Sequence, residues 1–147
     1  MTQIESAKKG RATTEARAVA RLEGVPLESL MESLAAGTVV IPHNRLHRPF
    51  RPAGIGRGLR TKVNVNLGTS RDFPHLPVEL QKTRISMKYG TDALMDLSTG
   101  GDIRKIRRAI LKAAPVPLGT VPIYQAAIEA IARRGTIVDM TVDDLFA

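Results

Sequence analysis

Between residues 62 and 135 the hydrophobic period of the sequence switches back and forth, and this limits the fold more than any other feature. KVNVNLG (62–68) sets Val63, Val65 and Leu67 against Lys62, Asn64 and Asn66, the period of two of a half-buried strand. Residues 77–89 predict a helix opened by Pro77 and closed by Gly90. DALMDLS (92–98) is a second strand, ended by Thr99-Gly100-Gly101. Residues 102–114 predict a helix with Ile103, Ile106 and Ile110 on one face and Arg104, Lys105, Arg108 and Lys112 elsewhere. PVPLGTV (115–121) is a third strand with Pro115 and Pro117 near its start. A helix follows over 122–135, with Arg133 and Arg134 in its last turn, where the helix dipole favours cations. TIVDM (136–140) reads as a short fourth strand.

Strand and helix alternating at roughly 25–30 residues per unit predict successive right-handed βαβ units on a parallel sheet. The class is therefore α/β, as a doubly wound sheet or a (βα)8 barrel. A complete barrel needs roughly 250 residues, so the 147 here supply about three units. Thr141-Val142-Asp143-Asp144 resembles a capping box and announces a helix, yet only Leu145, Phe146 and Ala147 remain. That mismatch predicts a chain cut from a longer one.

Residues 1–61 read as a separate helical region and basic arm, and 62–147 as a partial barrel. Residues 13–24 predict a helix capped by Thr13 or Thr14 and stopped by Gly24. A second runs over 26–37, with Pro26 at its first position, Leu27, Leu30, Met31 and Leu34 on one face, and Gly37 ending it. TVVIP (38–42) is a short strand or extended exit. Residues 43–62 are rich in Arg, Gly and Pro and predict an arm lying over something else.

Charge and cysteine usage narrow the function. Lys and Arg number 22 against 14 Asp and Glu, a net +8 concentrated in the segment 1–62, which points to phosphate-bearing partners. The chain has no Cys, which removes disulfides, thiolate metal ligation, a cysteine nucleophile and iron–sulfur ligation by this polypeptide. His43, His47 and His75 do not make a metal quartet, because Pro42 and Pro49 break the helix that would pair the first two. No metal ligand and no catalytic acid–base group is assigned. There is no apolar run of the ~20 residues a membrane span needs and no signal-peptide core, so a cytoplasmic location is expected.

Two basic features carry weak signals. Gly54, Gly56 and Gly58 precede a strand instead of following one, and a Walker lysine-plus-hydroxyl pair is absent, so a flexible arm is preferred to a nucleotide loop. Arg45, Arg48, Arg51, Arg57, Arg60 and Lys62 have only Phe50 as an aromatic companion, so a nucleic-acid partner is not expected.

The ends of the predicted strands say more. In parallel α/β folds, side chains at the C-terminal ends of strands form the ligand mouth. Asn66, Met95 and Tyr124 occupy such places at equal spacing along the chain (95 − 66 = 124 − 95). An amide, a thioether and a phenol at one mouth suit a heterocyclic ligand; packing roles for Met95 and Tyr124 are the alternative.

GIGRGLRTKVNVNLGTS (54–70), DALMDLSTGGDIRKIRRAIL (92–111), PVPLGTVPIYQA (115–126) and IVDMTVDDLF (137–146) closely resemble the phosphomethylpyrimidine synthase family of thiamine biosynthesis. The resemblance runs in order through essentially the whole chain. It implies a radical S-adenosylmethionine lyase that rearranges 5-aminoimidazole ribotide into hydroxymethylpyrimidine phosphate with a 4Fe–4S cluster. The implied fold is an N-terminal domain, a (βα)8 barrel and a C-terminal cluster-binding segment, as a homodimer. The family's substrate-contacting residues fall on Asn66, Met95 and Tyr124. Its zinc histidines and its three-cysteine motif have no counterpart in this chain, so cluster and zinc are implied for the family and an inactive N-terminal fragment is expected here.

Val65 and Leu67 depart from the family's usual KVNANIG. They leave open the paralogous branch that makes 5-hydroxybenzimidazole from the same ribotide. A truncated paralogue that binds ribotide without turning it over is a further alternative.

Overall fold

A computed structural model describes residues 1–146. It is α/β, and by internal packing it divides into two units, 1–63 with 115–117, and 64–114 with 118 onward.

In the first unit three helices surround a small aliphatic core. Helix α1 (Gln3–Lys8) is not among the predicted elements; Thr2 and Glu5 cap it reciprocally, each side chain bonding the other's backbone N–H. Helix α2 (Thr14–Glu23) starts at the Thr13 cap and stops at Gly24, which takes the left-handed conformation. Helix α3 (Leu27–Ala36) follows Pro26 and ends at Gly37. Ala16, Val19, Ala20, Leu30 and Leu34 bury their side chains together with Val39 and Ile41.

The basic segment is built into this unit. Strand β1 (Val39–Val40) pairs antiparallel with β2 (Ile55–Gly56), a strand the charge pattern hides. The glycines there are steric. A Cβ on Gly56, at φ +146°, would stand 2.2 Å from the Thr38 carbonyl oxygen, and one on buried Gly54 would meet Val19 at 2.5 Å. This overturns the flexible-arm reading of Gly54 and Gly56: a side chain at Gly56 would break the β1–β2 approach, and one at Gly54 would press on Val19 of α2. Glu23 anchors the arm's end, accepting from the Arg60 amide at 2.8 Å and pairing with Lys62 Nζ at 2.9 Å. Burial pushes the Glu23 carboxyl up, but those two bonds outweigh it and hold it below the ordinary value.

The second unit is a three-stranded parallel sheet with helical crossovers. Strands β3 (Asn64–Leu67), β4 (Ala93–Asp96) and β5 (Leu118–Thr120) lie in that order. Helix α4 (Leu76–Lys88) connects the first pair and α5 (Ile103–Ala113) the second, and the two helices pack on each other. Asp102 caps α5, its carboxylate accepting from the Lys105 N–H. Ile103, Ile106 and Ile110 are buried, as their spacing predicts. Helix α6 (Pro122–Arg134) follows β5 directly.

Residues 136–140 do not form the fourth strand expected from TIVDM. Thr136 Oγ1 accepts from the Val138 N–H, Ile137 C=O from the Met140 N–H, and Arg134 donates to the Asp139 C=O. These short-range bonds engage the backbone in a turn. The short helix α7 (Val142–Phe146) starts where the capping box places it: the Thr141 amide and hydroxyl donate to Asp144 at 2.8 Å each, and the Asp144 amide donates back to Thr141 Oγ1. No helix among the described residues is long and apolar enough to cross a membrane.

Candidate functional site

The parallel register decides which side chains share a face. Asn66 is opposite Met95, and Met95 opposite Gly119, so the three form one row across β3, β4 and β5. Leu67, Asp96 and Thr120 form the next row, and alternation turns them to the other face. That other face is the helix-covered one, since Arg107 of α5 reaches Asp96, and Leu67, Leu94 and Asp96 are buried there.

The Asn66 face is different in character. Asn64 and Asn66 are exposed, with Asn64 Nδ2 donating to Asn66 Oδ1 at 3.4 Å, and Met95 is half-buried. The Met95 thioether crosses onto β5. A Cβ on Gly119 would lie 2.9 Å from both its Sδ and its Cε, so the absence of a side chain there makes the room Met95 occupies. Tyr124 stands in the first turn of α6, 42% exposed, its amide donating to the Val121 carbonyl at 3.0 Å. The structure thus brings Asn66 and Met95 side by side on one face, while Tyr124 sits off the strands at the start of the following helix.

Beyond the strand ends, two loops run together. The Leu97 amide donates to Leu67 C=O and the Thr99 amide to Thr69 C=O, both at 2.8 Å, so parallel pairing continues past β3 and β4. Thr69 Oγ1 donates to Gly100 C=O at 2.7 Å, and Ser98 Oγ accepts from the Thr69 amide at 3.2 Å. The approach needs glycine on both sides. A Cβ on Gly100 would lie 2.2 Å from the Ser70 carbonyl oxygen, and one on Gly68 (φ +145°) 2.6 Å from the Leu97–Ser98 peptide. This is the physical content of the GTS and STGG strings.

Two buried carboxylates hold these loops from beneath, and sequence reasoning missed both. Glu79, 1% exposed, accepts from the Gly68 amide at 2.8 Å through Oε2 and pairs with Lys82 at 2.5 Å through Oε1. Asp96 accepts from the amide and hydroxyl of Ser98 through Oδ1, and from Arg107 Nε at 3.1 Å through Oδ2. An acid inside the apolar run ALMDL is the signal that could have exposed Asp96, because an ionised group in a strand core needs a partner.

No three His, Asp or Glu side chains among the described residues gather as a metal site. His43 pairs with Glu15 at 3.1 Å and stacks on Phe50, whose ring also meets His47 at a tilt, and His75 stacks on Phe73. With no cysteine, the chain's donor set does not fit an iron–sulfur cluster.

Comparison with protein families matches residues 2–147 to the radical SAM ThiC family. This chain belongs to the radical SAM ThiC family. Its relatives include phosphomethylpyrimidine synthases of Moorella thermoacetica (54% identical over 146 residues), Thermodesulfovibrio yellowstonii (57%) and Pyrococcus abyssi (49%). Each alignment covers 99% of this chain and 34% of the relative, so the chain spans about a third of the length of these ThiC proteins. Radical SAM families as a class use S-adenosylmethionine and a 4Fe–4S cluster.

Proposed function

We propose that this chain is the N-terminal part of a phosphomethylpyrimidine synthase and that its share of the work is to hold 5-aminoimidazole ribotide. The observation that carries the reading is the identity of 49–57% to proteins of that name across almost all of the chain. The sheet supports it. Three parallel strands in sequence order, with both crossover helices packed together, are the pattern of a barrel wall, and the face opposite those helices carries Asn64, Asn66, Met95 and Gly119. In a (βα)8 barrel that face turns inward.

On this reading the Asn66 amide, which both donates and accepts, reads the polar edge of the aminoimidazole. Met95 presents a polarisable thioether to its ring, and Tyr124 offers a hydroxyl. Their common task is to fix the heterocycle and ribose in one orientation. The cofactor of the family supplies radical chemistry, and this chain contributes no thiolate to its cluster. Zinc, the homodimer, the lyase step and a cytoplasmic location follow from the same family reading and are part of the proposal.

Calorimetric titration with 5-aminoimidazole ribotide tests it, on the longest polypeptide encoded by the reading frame that contains this chain. Saturable binding that Asn66→Ala weakens at least tenfold is expected. Absence of heat at millimolar ligand, or a frame without a downstream cysteine motif, overturns the reading.

A further inference from the structure

The two side chains proposed to grip the ligand from β4 and α6 are not adjacent in the sheet register. Something must fix their spacing, and a single guanidinium spans the gap between their immediate neighbours. Asp96 directly follows Met95, and its carboxylate is fully buried, with 0% side-chain exposure. Gln125 directly follows Tyr124. Arg107, on α5, donates from Nε to Asp96 Oδ2 at 3.1 Å and from Nη1 to Gln125 Oε1 at 3.0 Å. Gln125 is itself aimed, because its Nε2 donates to Glu129 Oε1 at 2.8 Å.

Each contact has a reason to be rigid. A buried carboxylate without a cation is strongly disfavoured, so Asp96 keeps Arg107 in place. The planar guanidinium offers donors in a fixed fork, so holding Nε on Asp96 fixes where Nη1 points. The other oxygen of Asp96 takes the Ser98 amide and hydroxyl, and Ser98 Oγ in turn accepts from the Thr69 amide. The end of β4, the loops after β3 and β4, and the first turns of α6 therefore share one network centred on Arg107.

We propose that Arg107 is a positioning residue that sets Met95 and Tyr124 at a fixed spacing for a ribotide ligand, acting through Asp96 and Gln125 from the helix side of the sheet. The inference rests on the reading of Asn66, Met95 and Tyr124 as ligand contacts. Lysine would satisfy the Asp96 charge but, as a single point donor, would not also hold Gln125. Charge compensation and spacing are thereby separable.

The test uses the same full-frame polypeptide and ribotide as the calorimetric probe. Arg107→Lys and Gln125→Ala are expected to unfold thermally within a few degrees of the parent. Each should weaken ribotide binding about tenfold, the scale of losing one positioning contact in a network. Combining Gln125→Ala with Tyr124→Phe should cost no more than Tyr124→Phe alone, since Gln125 acts only by placing the hydroxyl that Phe lacks. A purely structural role would lower the unfolding temperature and leave affinity untouched. Parent-like binding by both variants, with Asn66→Ala still defective, overturns the positioning role alone. No binding by the parent overturns the site and the positioning role together.

Discussion

Replacing Glu79 by Ala tests whether the loop after β3 is held by a buried bond or merely by chain connectivity. Three effects follow, of different size. The Gly68 amide, which donates to Glu79 Oε2 at 2.8 Å in a part-buried setting, loses its acceptor, and such a group costs about 1–3 kcal/mol. Removing the buried methylene stem loses about 0.8 kcal/mol per CH₂. The broken pair with Lys82 matters least, because that side chain is 42% exposed and its ammonium keeps the Gly68 carbonyl as an acceptor, a loss of about 0–1 kcal/mol. The expected loss is roughly 2–4 kcal/mol, a large part of the ~5–15 kcal/mol that holds a domain together.

Glu79→Gln keeps an acceptor for the Gly68 amide and should lose about 1 kcal/mol or less. With two Tyr and no Trp, fluorescence reports poorly on this chain, so urea unfolding is best followed by far-UV circular dichroism. Hydrogen exchange at the Gly68 amide supplies the local readout and should accelerate in the Ala variant only. Equal effects of Ala and Gln would refute the assignment of this bond. So would an Ala variant within about 0.5 kcal/mol of the parent, the range of substitutions that touch no structural feature.

Other outcomes separate site from scaffold. Gly119→Ala places its Cβ against the flexible end of Met95, 2.9 Å from Sδ and Cε; the thioether swings away, so stability should change by less than about 1 kcal/mol while ribotide binding in the calorimeter falls severalfold. Gly56→Ala meets backbone on β1 and demands a left-handed φ, so it should cost about 2–4 kcal/mol in urea unfolding. Asp144 accepts from Arg134 Nη1 and Nη2 at 2.6 and 3.0 Å, and these bonds, with those from Thr141, hold its carboxyl far below the carboxylate range. A depressed folded-state pKa gives stabilisation that is complete above the unfolded value of ~3.9 and is lost as pH falls beneath it. The melting-temperature gap between parent and Asp144→Asn should therefore be flat from neutral pH to about 5 and close in stronger acid.

Residues whose partners lie within a turn or two were legible beforehand. The caps at Thr13 and Thr141, the stops at Gly24 and Gly37, and the isoleucine face of α5 depend on neighbours three or four positions away, so their pattern survives in one dimension. TIVDM failed for the converse reason: an apolar run becomes a strand only if another strand accepts its backbone bonds, and here the turn and Arg134 take them. Strand β2 escaped notice because its pairing with β1 is an encounter between distant segments, written in the chain only as glycines.

Composition and spacing alone gave the βα alternation, the absence of any thiolate, and Asn66, Met95 and Tyr124 as strand-end candidates. Folding added the register that lays Met95 over Gly119, and it gave Glu79, Asp96 and Arg107 their roles. Those roles depend on bonds across 11 to 18 residues of chain. A buried charge has no meaning until the surrounding helices remove its water, and that happens only once β3, β4, α4, α5 and α6 are packed.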